Sequence, residues 1–198
     1  IGMTAAMEKM RPGITELQVY GEVVRAMAEA GGENPSITMP VASGKKSACA
    51  HALASTKKIR KGEIVNIDVC GVVHRYHANM ARTFSIGKPP AGTADVVKRS
   101  GGSFGLLKKM LRPNIEVTRV AEALKSYYEK AGIIDDRWWF GGYELSASFP
   151  PDWVGPWFYD AYTDQRGRRF VPGTVVNYES NFYLPNRAGV SLLINTIA

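Results

Sequence analysis

The sequence predicts an α+β fold made of two halves with the same pattern, because two separate segments recur in the same order. Residues 11–31 (RPGITELQVYGEVVRAMAEAG) align without gaps on residues 112–132 (RPNIEVTRVAEALKSYYEKAG). Residues 61–68 (KGEIVNID) align on residues 172–179 (PGTVVNYE). Hydrophobic residues make up 45% and charged residues 22% of the chain, which is typical of a globular domain. A recurring pair of segments therefore predicts two halves related by a pseudo-twofold axis.

The first recurring segment predicts an amphipathic helix in each half. Each copy opens with Arg-Pro and a turn residue, Gly13 or Asn114, and each closes on a glycine suited to a helix end. Apolar residues follow at helical spacing. They are Leu17, Val24 and Met27 in the first copy, and Val120, Leu124 and Tyr127–Tyr128 in the second.

The second recurring segment predicts a strand that starts after a glycine turn and carries an acid. The acid is Asp68 in the first copy and Glu179 in the second. A buried carboxylate is costly unless it is paired, hydrogen-bonded or bound to a metal. We therefore expect both acids to face one cleft between halves of about residues 1–100 and 101–198.

Composition excludes several classes of function. The net charge is +7, but Lys and Arg occur in short scattered groups without a basic-aromatic motif, so we expect no nucleic-acid partner. No apolar run approaches the roughly 20 residues that span a bilayer, so we expect no membrane association. Two cysteines, Cys49 and Cys70, favour a reducing cytoplasmic location. Because Ile1 and Ala198 fall inside predicted elements, we expect the chain to be truncated at both ends.

Four segments carry a resemblance to a known family. They are SGKKSACAHALASTKKIRKGEIV (43–65), NIDVCG (66–71), RYHANMARTFSIG (75–87) and VPGTVVNYESNFYLP (171–185). In order and spacing they resemble the pita-bread family of creatinase, aminopeptidase P, prolidase and methionine aminopeptidase. The resemblance implies two pseudo-symmetric α+β halves around a curved antiparallel sheet, hydrolysis of C–N bonds, and a homodimer.

The same resemblance implies five metal-ligand positions, of which three are changed. These positions are Asp68, Asn79, Tyr143, Glu179 and Leu193. An amide brings no charge, a tyrosine is neutral near pH 7 and a leucine is no ligand, whereas two divalent cations need several anionic or imidazole donors. We therefore expect no metal cofactor, or at most one weakly held Mn-, Zn- or Fe-type ion at Asp68 and Glu179.

Three residues are predicted to be catalytic. His51 stands at the histidine position of the family's upstream segment and is the candidate general acid and base. Asp68 and Glu179 would hold a cationic amidine, guanidine or amine, and Glu179 could also orient water.

Four further residues are predicted to contact substrate: Asn79, Tyr143, His77 and Trp153. Trp157 is an alternative to Trp153 in the aromatic run of residues 137–162. Arg82 is expected to pair with a nearby carboxylate, and Cys70 to border the pocket.

The segment GYELSASFPPDW (142–153) resembles part of the ectoine hydrolases, although Pro156 replaces an acid that follows there. The predicted function is therefore metal-independent hydrolysis of a C–N bond in a small zwitterion, ectoine-like or creatine-like. Two alternatives stay open. One is a metal-dependent Xaa-Pro dipeptidase or aminopeptidase, and the other is a non-catalytic module that binds peptides or proteins.

Overall fold

The first half of the chain is a helix pair followed by three strands. A computed structural model describes all residues, 1–198. The elements of this half are α1 (Gly2–Lys9), α2 (Glu16–Glu29), β1 (Val41–Ser43), a 3-10 helix (Gly44–Ala48), β2 (Ile64–Val73) and β3 (Tyr76–Ser85).

The second half repeats that order with one additional strand. Its elements are α3 (Thr93–Met110), α4 (Val117–Ala131), a 3-10 turn (Ile134–Asp136), β4 (Arg137–Leu145), β5 (Val154–Tyr159), β6 (Val175–Tyr183), a 3-10 turn (Pro185–Arg187) and β7 (Val190–Ile197). None of the helices combines the length and apolar character needed to cross a bilayer.

All seven strands form one antiparallel sheet in the order β1-β2-β3-β7-β6-β4-β5. The halves meet where β3 pairs with β7, at Met80 opposite Asn195 and Ala81 opposite Ile194. The hairpin β2–β3 thus has β6–β7 as its counterpart. The predicted α+β architecture with two equivalent halves is confirmed.

Two isolated bridges show how closely the halves correspond. Thr15 pairs with Lys58 in the first half, and Glu116 pairs with Arg169 in the second. Each bridge ties the residue before the long helix to the segment that leads into a central strand. The recurrence seen in the sequence is therefore a recurrence of tertiary contacts.

Each half buries its own apolar cluster, of 10 residues in the first half and 16 centred on the second. The helix faces follow the sequence prediction in α4, where Val120, Leu124 and Tyr128 are buried. In α2 the prediction was partly wrong, because Leu17 is 45% exposed and Val19 and Val23 take the buried positions. A capping box at Thr15 fixes the start of α2.

Candidate functional site

A cavity of about 840 Å³ opens on one face of the sheet, and both symmetry-related acids line it. The pairing registers place Asp68, Ala81, Ile194 and Glu179 in one row across β2, β3, β7 and β6. Residues paired across neighbouring strands point to the same side of a sheet. The structure therefore brings Asp68 and Glu179 to one cleft.

Glu179 is held by two amides of its own strand. Its two carboxylate oxygens accept hydrogen bonds from the Nδ2 atoms of Asn177 (2.9 Å) and Asn181 (2.7 Å). Burial raises the pKa of Glu179 to about 7 although these hydrogen bonds act in the opposite direction. Asn177 and Asn181 were not predicted, yet residues two places away on a strand share its face, and that signal would have found them.

Asp68 has the opposite surroundings. It is only 6% exposed, and its Oδ1 atom has no hydrogen-bond partner. Burial, and then the charge of Glu179, raise the pKa of Asp68 well above its usual range. No hydrogen-bond donor of the chain reaches this carboxylate, which lines the cavity, so a donor on a ligand meets no competing partner there.

Tyr143 forms the centre of the polar floor of the cavity. Its hydroxyl accepts hydrogen bonds from Trp153 Nε1 (3.0 Å) and Asn79 Nδ2 (3.4 Å). Burial, and then the charge of Glu179, raise the pKa of Tyr143, which keeps the phenol neutral. Of the four predicted substrate-contact residues, Tyr143 and Trp153 line the cavity, while Asn79 supports them from below with its own Oδ1 unpartnered.

His51 lies on the rim of the same cavity. It is exposed, and its ring packs edge-on against Trp138 with 5.7 Å between ring centroids. The ring makes no hydrogen bond within the chain. The structure thus places the predicted general acid and base on the wall of the same cavity as the two acids, and no hydrogen bond within the chain orients its imidazole.

The turn that carries His51 is anchored by a buried acid on α2. Glu16 is fully buried and accepts hydrogen bonds from the backbone and hydroxyl groups of Ser43 and Ser55, and it also pairs with Lys46. Burial alone would raise the pKa of Glu16, but the hydrogen bonds outweigh it and lower that pKa. Glu16 thereby fixes both ends of the segment in which His51 lies.

His77 does not fit the role predicted for it. The ring is fully buried and lies outside the cavity lining. Its Nε2 accepts from the Ser36 backbone N–H (3.1 Å), and its Nδ1 lies 2.8 Å from the Arg75 carbonyl oxygen. Burial lowers the pKa of His77. With both nitrogens engaged, His77 fastens the Ser36 loop to β3 and offers nothing to a substrate or metal.

The position expected for the last metal ligand also needs correction. Leu193 contacts helix α3, since a Cβ at Gly101 would lie 3.5 Å from Leu193 Cδ1. Strand alternation instead points Ile194, the partner of Glu179, to the cavity side. Leu193 and Ile194 are both aliphatic, so neither position supplies a metal ligand.

Three other expectations are changed by the structure. Arg82 pairs with no carboxylate; its guanidinium donates to the carbonyls of Ala81 and Ile194 and to Asn195 Oδ1. Trp157 packs on Tyr159 and Phe170, away from the cavity. Cys70 is buried behind the lining, and burial raises the pKa of its thiol to about 12.

Several lining residues were not predicted as site residues. Rings of Trp138, Trp139 and Phe158 and the carboxylates of Asp152 and Asp160 join the site. All of them lie in the aromatic segment of residues 137–162, whose density of rings was visible in the sequence. Which of those rings face the cavity depends on how β4 and β5 pair.

The donor set does not fit two divalent cations. No group of three or more His, Cys, Asp and Glu side chains lies close enough to hold a metal ion. Ala81 and Ile194 fill the row between the two acids and pack with Ala50 and Leu192.

Comparison with known proteins identifies the family. The family model of the metallopeptidase family M24 matches residues 1–196, and the chain belongs to that family. The fold is that of prolidase from Pyrococcus furiosus, with a TM-score of 0.86 at 22% identity over 98% of this chain and 56% of that one. The predicted pita-bread fold is thereby confirmed.

Two curated relatives show the range of the family around this chain. It is 30% identical to an ectoine hydrolase from Halomonas elongata over 158 residues, and this aligned region covers 74% of this chain and 39% of the hydrolase. It is 35% identical to an Xaa-Pro dipeptidase from Pyrococcus furiosus over 85 residues, and this aligned region covers 43% of this chain and 24% of the dipeptidase. The chain thus spans well under two thirds of either protein.

Proposed function

We propose that this chain forms the active site of a hydrolase that cleaves a C–N bond in a small nitrogenous substrate without a bound metal ion. The observation that carries the proposal is the pair of buried acids, Asp68 and Glu179, at the floor of one cavity with no third metal-ligating side chain beside them. Membership of a family that includes an ectoine hydrolase and Xaa-Pro dipeptidases supports the reaction class.

The two acids have different capacities in this proposal. The carboxylate of Asp68, which lines the cavity and accepts no hydrogen bond within the chain, accepts an N–H of the substrate's cationic nitrogen. Glu179, with a pKa of about 7, exchanges a proton with water or with the leaving nitrogen near neutral pH. Proton transfer is most effective when the pKa of the group lies near the working pH.

His51 completes the proposed mechanism from the rim. A neutral imidazole removes a proton from water that attacks the C–N carbon, and the imidazolium then returns a proton to the departing nitrogen. Tyr143, kept neutral by burial and held by Trp153, offers its hydroxyl hydrogen to the attacking water and so orients that water toward the carbon.

Metal titration tests the metal-free part of the proposal. We expect Mn²⁺, Co²⁺ and Zn²⁺ to give no saturable heat in isothermal titration calorimetry with the wild-type chain. The matched control is the double variant N79D/Y143H, which supplies an acid and an imidazole beside Asp68 and Glu179 and should bind at least one ion. Two ions per wild-type chain, with activity lost on chelation and restored by metal, would show a metallopeptidase instead.

A binding module without catalysis is the second candidate, and one observation favours it. The His51 imidazole has no hydrogen-bond partner that would set its tautomer, whereas a general base is usually oriented by a second group. A His51→Ala variant separates the two. Loss of turnover with ligand affinity kept supports the hydrolase, while unchanged behaviour in every assay supports the binding module.

A further inference from the structure

We propose that the cavity accepts an organic cation that carries no carboxylate, such as a small amine, guanidinium, amidinium or quaternary ammonium compound. The inference concerns the ligand class of the site described above, and its role in turnover rests on the proposed function. It differs from the zwitterion expected from the sequence, and the difference comes from the charges and rings that tertiary structure brings to the cavity wall.

The charge of the lining is the first observation. The chain has 25 Lys and Arg residues and 18 Asp and Glu residues. No Lys or Arg lines the cavity. The acids that line it are Asp68, Asp152, Asp160 and Glu179. A basic protein thus surrounds a cavity whose ionisable groups are acids and one histidine, and such a cavity attracts cations.

The second observation is the carboxylate of Asp68. This residue is only 6% exposed, it lines the cavity, and its carboxylate accepts no hydrogen bond within the chain. An ammonium, guanidinium or amidinium N–H in the cavity would form a charge-assisted hydrogen bond with this carboxylate, and such a bond is roughly twice as strong as a neutral one. Because no donor of the chain competes for it, the carboxylate is available to a cationic ligand.

Aromatic rings form the third observation. Five of them line the cavity: Trp138, Trp139, Tyr143, Trp153 and Phe158. Cations bind to the faces of such rings with about 0.5–2 kcal/mol each, and tryptophan is the best of the three ring types. Rings combined with carboxylates suit a cation with an apolar body, since the rings replace the water that the cation loses.

A carboxylate on the ligand has no counterpart in this cavity. Lys46, on the segment that carries His51, is already paired with the buried Glu16, and Lys57 is paired with Glu63. A zwitterion would place its own anion among Asp68, Asp152, Asp160 and Glu179 without a compensating cation. Like-charge contacts of this kind cost several kcal/mol, so the zwitterion should bind much more weakly than the matching cation.

Matched ligand pairs test the inference directly. Choline and glycine betaine, and likewise agmatine and arginine, share the cationic group, and only the second of each pair carries a carboxylate. Titration of the full chain with each compound, followed by tryptophan fluorescence and by calorimetry, gives their affinities. We expect each carboxylate-free cation to bind at least tenfold more tightly than its partner.

Two variants locate the binding. Asp68→Asn should weaken agmatine at least tenfold, while Asp95→Asn, an exposed acid on α3, should leave its affinity unchanged. Trp138→Leu removes one ring from the cavity wall and should weaken the binding of choline severalfold. Equal or tighter binding of betaine and arginine, or equal effects of D68N and D95N, would overturn the inference.

The outcome is separable from that of the proposed hydrolase. Tight binding of cations without turnover of any of them would leave the cation site in place and would count against catalysis. Turnover of a zwitterion that is unaffected by D68N would support a hydrolase and would refute the cation site.

Discussion

Replacing Glu179 by glutamine should change the pH dependence of stability, because this carboxyl binds its proton more tightly in the folded protein than in the unfolded chain. Its pKa is raised from 4.5 to about 7, chiefly by burial. Below about pH 4.5 the carboxyl is protonated in both states, and its contribution to stability is fully present. As the pH rises from there through about 7, the unfolded chain ionises first and that contribution is lost.

The magnitude follows from the interval between the two pKa values. At about 1.4 kcal/mol per pH unit, the interval from 4.5 to about 7 corresponds to about 3 kcal/mol. Roughly 2 kcal/mol of this should be lost between about pH 5 and about pH 8.5. Asp68 adds to the effect in the same direction, since burial raises its pKa and the charge of Glu179 raises it further.

Urea denaturation at several pH values provides the assay. We expect the free energy of unfolding of the wild-type chain to fall across this range by about 2 kcal/mol more than that of Glu179→Gln. Glu122→Gln, an exposed acid on α4, is the matched control and should follow the wild type. Parallel curves for wild type and E179Q would refute the conclusion that burial of this carboxyl dominates its ionisation.

Two further predictions concern packing and the His51 segment. A Cβ at Gly142 would lie 2.1 Å from the Asn177 carbonyl oxygen, so Gly142→Ala should destabilise the protein by about 2 kcal/mol or more. Gly105 lies inside α3 and has open space around it, so Gly105→Ala should stabilise the protein by up to about 1 kcal/mol. Thermal unfolding of both variants measures these changes. Glu16→Ala removes the acceptor of the backbone and hydroxyl donors of Ser43 and Ser55, together with the ion pair to Lys46. We therefore expect limited proteolysis to cut residues 44–55 faster in that variant, and equal rates would contradict the anchoring role.

The sequence predicted much of the fold because its two recurring segments encode local structure. Helix spacing and glycine turns are read within a few residues of one another, so α4 and the strand carrying Asp68 were predicted correctly. The buried face of α2 was missed at Leu17 because packing against distant strands decides which apolar residues face the core, and Val19 and Val23 join the cluster with β1 and β2 instead. The role predicted for His77 failed because its partners, Ser36 and Arg75, are joined only by folding.

The sequence by itself determined that Asp68 and Glu179 lie at equivalent positions of two equivalent strands, since a repeat carries its strand positions with it. Only the tertiary structure decided which β7 residue faces them, because strand register selects Ile194 over Leu193. It also decided what surrounds the acids. Cavity walls are assembled from segments distant in the chain, so the rings of residues 137–162 and the absence of Lys and Arg from the lining emerge only once long-range packing is complete.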